Sequence, residues 1–222
     1  MPSATTTHDI ELIIEKKGGG GGGNVPPSRG HGGGDDGKNR GDRPVSANRY
    51  YTAIAVAIVA ILMFFMALAS AFLIRKGSPD WAPVHIPTLI WVNTIILLLS
   101  SGTLELAKKR LAGADISGYR RYWLLTTTLG LIFLIGQVAA WRILERQGVY
   151  LASNPASSFF YIFTGAHALH LLGGIVALIY VALRNLDESR ISRVVAAEVT
   201  SYYWHFMDAL WLFLLALMYL GR

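Results

Sequence analysis

Between positions 51 and 220 the chain carries five long stretches with few or no charged side chains, at residues 51–74, 86–104, 122–141, 159–183 and 203–220. A helix needs about 20 apolar residues to cross a hydrocarbon core, and each stretch is of that order. They are apolar on every side, without the ten-residue alternation that strands of a membrane barrel show. Hydrocarbon offers no hydrogen bonds, so each span has to satisfy its backbone internally. The prediction is an all-α integral membrane protein, five transmembrane helices in a bundle. Residues 194–202 extend the last helix beyond the membrane. The connections hold turn residues: Gly77 and Pro79 ahead of Trp81, Gly113 ahead of Ser117, Asn154 with Pro155, and Asp187 with Glu188.

Residues 1–49 are of another kind. They hold 12 of the 23 glycines, six of them consecutive at 18–23, and then a mixture of Pro, Gly, Asp and Arg up to Pro44. This composition predicts a disordered Gly-rich cytoplasmic tail, residues 1–49, ahead of a membrane domain at 50–222. No apolar run or small-residue cleavage site lies near Met1, so the first span is expected to act as its own uncleaved signal.

The net charge of +6 reads as topology. Lys38, Arg40, Arg43, Arg49, Lys108, Lys109, Arg110, Arg120, Arg121, Arg184, Arg190 and Arg193 fall on the N-terminal side of the bundle. Only Arg75, Lys76, Arg142, Arg146 and Arg222 fall on the other. The positive-inside rule then predicts a cytoplasmic N-terminus and a C-terminus outside for a multi-pass membrane protein. No basic stripe with interleaved aromatics is present, so nucleic acid is not an expected partner. The absence of cysteine removes disulfides, thiolate metal sites and cysteine nucleophiles. No phosphate-binding loop, serine–base pair or HExxH motif occurs.

Ionisable groups at membrane depth usually mark pathways, partners or ligands. Here they are His167 and His170 in the fourth span and His205 and Asp208 in the fifth, with Gln137 and Glu105 nearer the ends of theirs. If Phe159 and Leu220 both sit at the outer boundary, a rise of about 1.5 Å per residue puts His170 roughly 16 Å deep and Asp208 roughly 18 Å deep. His170 is therefore expected within hydrogen-bond reach of the fifth span, near Asp208 or bridged to it. Three readings stay open for these groups: helix–helix hydrogen bonds, a proton or ion relay, and a metal or haem site. His167 and His205 differ by roughly 10 Å in depth on the same arithmetic, which disfavours the last. Gly165, Gly173, Gly174, Ala166, Ala168 and Ala177 are small residues that let helices approach. Trp81, Trp91, Trp123, Trp141 and Tyr150 are expected to flank the spans as interfacial anchors, with Trp204 and Trp211 further along the fifth.

The fourth and fifth spans read NPASSFFYIFTGAHALHLLGG at 154–174 and YWHFMDALWLFLLALMYL at 203–220. They resemble subunit III of the haem-copper oxidases, the cytochrome c oxidase family, in its Thr-Gly-x-His-x-x-His and Tyr-Trp-His-Phe-x-Asp-x-x-Trp-Leu-Phe patterns. The likeness extends back through GLIFLIGQVAAWRILERQGV at 130–149, LIWVNTIILLLSSGTLELA at 89–107 and MFFMALASAFLIRKGSPDW at 63–81. It covers residues 50 to 222 and is similar to the five-helix bacterial form.

The resemblance implies a non-catalytic subunit with no metal, haem or catalytic residue of its own. Its partners would be oxidase subunits I and II, which hold the haem and copper, and membrane lipids, with cytochrome c engaged at the level of the complex. The complex would reduce oxygen and translocate protons. His167, His170, His205 and Asp208 become a structural polar network, and Arg120, Arg121 and Glu105 candidate lipid or inner-face contacts. A subunit of a quinol oxidase or nitric oxide reductase is the alternative, followed by an intramembrane cytochrome or a proton-coupled transporter, although no inverted repeat is visible. One position departs from the family pattern: Ile61 stands where many members carry a glutamate.

Overall fold

The computed structural model describes residues 47–184 and 190–221. Most of the expected Gly-rich tail lies outside the described residues, as do Asp187, Glu188 and Arg222. Five helices follow one another: α1 (Ala47–Arg75), α2 (Thr88–Ala112), α3 (Ile116–Arg146), α4 (Pro155–Arg184) and α5 (Arg190–Leu220). All five are long and apolar enough to cross a membrane. At about 1.5 Å per residue they run roughly 37 to 46 Å, so each overshoots a hydrocarbon core of about 30 Å. Four of the expected spans fall within one helix each, the second starts two residues ahead of α2 because the helix begins after Pro87, and residues 194–202 do prolong α5.

Helices α2, α3, α4 and α5 close a ring in which each packs on two neighbours, and α1 lies outside it against α4 and α5. The placement follows from side-chain size. The ring encloses Trp123, Phe133, Phe163, Trp204 and Trp211, all fully buried, and these fill space that aliphatic side chains would leave open. In α1, by contrast, Val56, Met63, Leu73 and Ile74 are exposed, an apolar surface suited to lipid.

Helix α1 is held near both of its ends. At the end where Lys108, Lys109 and Arg110 gather, which we term the basic end, the Tyr51 hydroxyl donates to Glu198 of α5 at 2.5 Å. At the far end Lys76 donates to the Leu220 carbonyl at 2.9 Å. Beside it Phe72 packs edge-on against Trp81 and Phe159, with ring centroids 5.2 and 5.6 Å away.

Small residues set how close the ring helices come. Gly174 does act as expected: a Cβ there would meet Tyr203 at 3.0 Å. Gly173 and Gly165 have ordinary clearances of 4.0 Å. The tighter contacts are at Gly136, against Asn93 of α2, and at Gly130, where a Cβ would sit 2.7 Å from the Trp204 ring. Trp123 differs from its expected role as an interfacial anchor. It is 1% exposed and donates its indole N–H to the Leu178 carbonyl of α4 at 2.9 Å, because the ring interior takes the aromatic surface and α4 supplies the acceptor.

The link between α2 and α3 is three residues long. Gly113 has φ −75°, and Ala114 is the residue in the left-handed region, at φ 59°. Asp115 then caps α3, accepting from the Gly118 N–H at 2.9 Å and from the Ser117 hydroxyl at 2.9 Å. The Gly118 N–H, followed by the Ser117 hydroxyl, holds the Asp115 carboxyl below its ordinary pKa. A lowered folded-state pKa contributes stability that is present above the unfolded value and is lost as pH falls through the folded one.

Two substitutions test this packing by the thermal midpoint of the detergent-solubilised protein. Ala114→Gly relieves the left-handed strain and raises stability by about 1 kcal/mol. Gly130→Ala drives a methyl into the rigid Trp204 ring and lowers it by about 1–3 kcal/mol.

Candidate functional site

The polar residues of the bundle gather along the seam where α2 and α5 run antiparallel. On α2, Ser101, Glu105 and Lys108 are spaced four and three residues apart and share a face. On α5, Ser201, His205 and Asp208 do the same. The two faces meet. His205 Nε2 lies 2.8 Å from Glu105 Oε1 and its Nδ1 lies 3.0 Å from Ser101 Oγ, while the same Ser101 oxygen also bonds Asp208 Oδ2. Lys108 donates to Glu105 at 2.8 Å and to Ser201 at 3.2 Å, and Ser201 donates to Glu105 at 3.2 Å.

Exposure is graded along this chain of bonds. The Glu105 and His205 side chains are 42% and 38% exposed, whereas Asp208 is 5% exposed. Asp208 Oδ1 has no hydrogen-bond partner. Two indoles of α5 complete the seam: Trp204 donates to Ser100 and Trp211 to Thr94, each at 3.0 Å.

His205, Asp208 and Glu105 are thus brought together, and the two histidines of α4 are not. His170 corrects the expectation that it meets Asp208. Its Nδ1–H donates to the Ala166 carbonyl one turn back at 2.7 Å, and its ring lies against Phe64 and Phe65 of α1, with centroids 6.2 and 5.6 Å away. What reaches α4 here from α5 is the Tyr203 hydroxyl, which donates to the His170 main-chain carbonyl at 2.8 Å. The depth arithmetic fixes height along an axis and leaves the direction round the helix open.

His167 is fully buried between Trp211 and Phe133, with centroids 4.9 and 6.0 Å away, and neither ring nitrogen has a hydrogen-bond partner. Gln137 is buried and unpartnered at both amide atoms. The Trp141–Thr164 bond of 3.0 Å registers α3 on α4, which puts Gln137 and His167 at one height. The half-buried Ile61 packs its aliphatic side chain against the core.

Arg120 and Arg121 are exposed at the start of α3, away from the seam. Arg121 lines a groove with Arg110, Asp115 and Tyr122, where Arg110 bonds Asp115 at 3.3 Å and stands 5.9 Å over the Tyr122 ring. Sequence reasoning missed Ser101, Lys108 and Ser201. Their shared face with Glu105 on α2, or with His205 on α5, was the available signal. Among the described residues no group of three or more His, Cys, Asp or Glu is placed to hold a metal ion.

The family model for cytochrome c oxidase subunit III matches residues 45–221, all five helices and the whole α2–α5 seam. The chain belongs to that family. Cytochrome c oxidase subunit 3 of Corynebacterium diphtheriae is 36% identical over 168 residues, 71% of this chain and 81% of that protein. The protein of Synechocystis with the same name is 33% identical over 174 residues, 75% of this chain and 73% of its own length. A probable cytochrome c oxidase subunit 3 of Mycobacterium bovis is 32% identical over 167 residues, covering 72% and 82%. The chain is therefore a multi-pass membrane protein with the subunit III role in a terminal oxidase, a component of aerobic respiration coupled to proton translocation.

The unpartnered imidazole gives this subunit III a direct test. His167→Phe keeps a ring between Trp211 and Phe133 and removes two unsatisfied nitrogens, so it raises the thermal midpoint, by an amount worth about 1–2 kcal/mol.

Proposed function

We propose that this chain is the non-catalytic third subunit of a bacterial cytochrome c oxidase, set in the plasma membrane with its N-terminus in the cytoplasm and its C-terminus outside. The observation that carries the reading is the subunit III match across residues 45–221, with relatives that bear the cytochrome c oxidase name along most of their length. Subunits I and II would hold the haem and copper and receive electrons from cytochrome c. This chain would pack beside subunit I within the membrane.

Within that role His205, Asp208 and Glu105 act structurally, joining α2 to α5 through hydrogen bonds that hydrocarbon cannot replace. His170 receives α1, and His167 fills the ring interior. Arg120 and Arg121, with Lys108, Lys109 and Arg110, face the anionic headgroups of the cytoplasmic leaflet. That basic clustering supports the cytoplasmic placement of the basic end.

The test is a mild-detergent extraction through an affinity tag on this chain. Haem-bearing subunit I and copper-bearing subunit II are expected in the eluate, while the chain purified alone carries neither group. A quinol-oxidising complex without a copper subunit overturns the electron donor, and stoichiometric haem on the isolated chain overturns the reading itself. The sequence has no cysteine, so single cysteines at Arg120 and Asp80 report orientation in intact cells before extraction. An impermeant thiol reagent added outside intact cells is expected to label the second and spare the first.

A further inference from the structure

The α2–α5 seam holds a hydroxyl with too few protons. Ser101 Oγ is within hydrogen-bond distance of both His205 Nδ1 and Asp208 Oδ2, and a serine hydroxyl has one proton to donate. It cannot donate to both. One of its two partners must donate to it, and the Glu105 carboxylate at His205 Nε2 requires that this second ring nitrogen carry a proton.

With Glu105 ionised beside Lys108 and one further proton in the unit, two assignments satisfy every contact. In the first, the Asp208 carboxyl O–H donates to Ser101 Oγ, the Ser101 O–H donates to His205 Nδ1, and the neutral imidazole donates its Nε2–H to Glu105. In the second, an imidazolium donates from Nδ1 to Ser101 Oγ and from Nε2 to Glu105, while the Ser101 O–H donates to an Asp208 carboxylate. Without that proton, an Asp208 carboxylate and a neutral His205 bonded to Glu105 leave two lone pairs opposed at one of the two Ser101 contacts. Passage from the first to the second breaks the Asp208 O–H as a Ser101 O–H forms, and breaks the original Ser101 O–H as the His205 Nδ1–H forms. The net result is one proton moved from Asp208 to His205.

We infer that Asp208, Ser101 and His205 form a proton-holding unit, which stores one proton at the carboxyl and exchanges it through the imidazole and Glu105 with the basic end of the bundle. The graded exposure fits this direction. Asp208 is buried, His205 and Glu105 are partly open, and Glu105 is flanked by Lys108 and Ser201.

Among the described residues, the other ionisable groups near this unit are Lys108 beside Glu105, and the Tyr51–Glu198 pair two turns nearer the basic end on α1 and α5. From α3 the Thr126 hydroxyl bonds Thr103 of α2, and His170 of α4 is turned to α1. The unit is part of this chain alone. It goes beyond the oxidase reading and holds for either electron donor.

Infrared spectroscopy of the full chain in lipid nanodiscs, with carbon-13 in aspartate, tests it. A protonated aspartic acid carbonyl band is expected to vanish in Asp208→Asn and to take up deuterium from D2O. Ser101→Ala slows that uptake about tenfold, equivalent to roughly 1.4 kcal/mol of barrier. Ser101→Thr, which keeps the hydroxyl, restores the native rate. Should Asp208→Asn fail to fold, the alanine and threonine variants decide alone through the labelled band. Absence of a protonated aspartate band in protein whose histidines are neutral, or equal deuterium uptake in the serine and alanine forms, overturns the inference.

Discussion

Hydrocarbon neither donates nor accepts hydrogen bonds, and the architecture of this subunit III is arranged around that fact. Backbone groups are satisfied by forming helices. Side-chain groups must find one another, and most do so along a single seam, where α5 delivers two indoles, an imidazole and a carboxyl to hydroxyls and a carboxylate of α2. Apolar packing alone gives weak preference for one helix partner over another in lipid, because tails are as apolar as leucine. The seam supplies the missing selectivity by fixing which helices adjoin, at what height and in which rotation.

The rest of the bundle is built outward from that pairing. With α2 and α5 registered, Trp204 and Trp211 are held inside the ring, Gly130 provides the hollow that Trp204 needs, and Trp123 closes on α4. Helix α1 is added last in spatial terms. It shows most of its surface to the surroundings and is held by contacts near its two ends and by Phe65 on His170. A peripheral helix of this kind suits a chain that also contacts larger neighbours within a membrane complex.

Much of this was legible in the residues. The five spans were readable because their length is set by bilayer thickness, and the heights of the histidines because the helical rise is constant. Rotation was not. Helix α4 is apolar nearly all round, so no polar stripe orients it, and the roughly 60° between positions three apart was enough to turn His167 to Trp211 and His170 to α1. The partners of His205 and Asp208 were hidden for a simpler reason. Serine in a membrane helix commonly bonds its own backbone, as Ser100 does and as Thr94 does with its hydroxyl, so the place of Ser101 four residues before Glu105 was a weak signal beside the histidines. Likewise Gly113 drew attention as the turn residue, while the left-handed conformation fell on its neighbour Ala114.

The three-residue link between α2 and α3 reaches further than its size. So short a tether, capped by Asp115 and followed by the most extensive helix pairing in the protein, leaves these two helices no freedom to separate or slide. The pair is in effect one antiparallel hairpin, a single structural blade within the bundle. Helix α1 carries none of the seam's hydrogen bonds, so that pairing does not depend on where α1 sits.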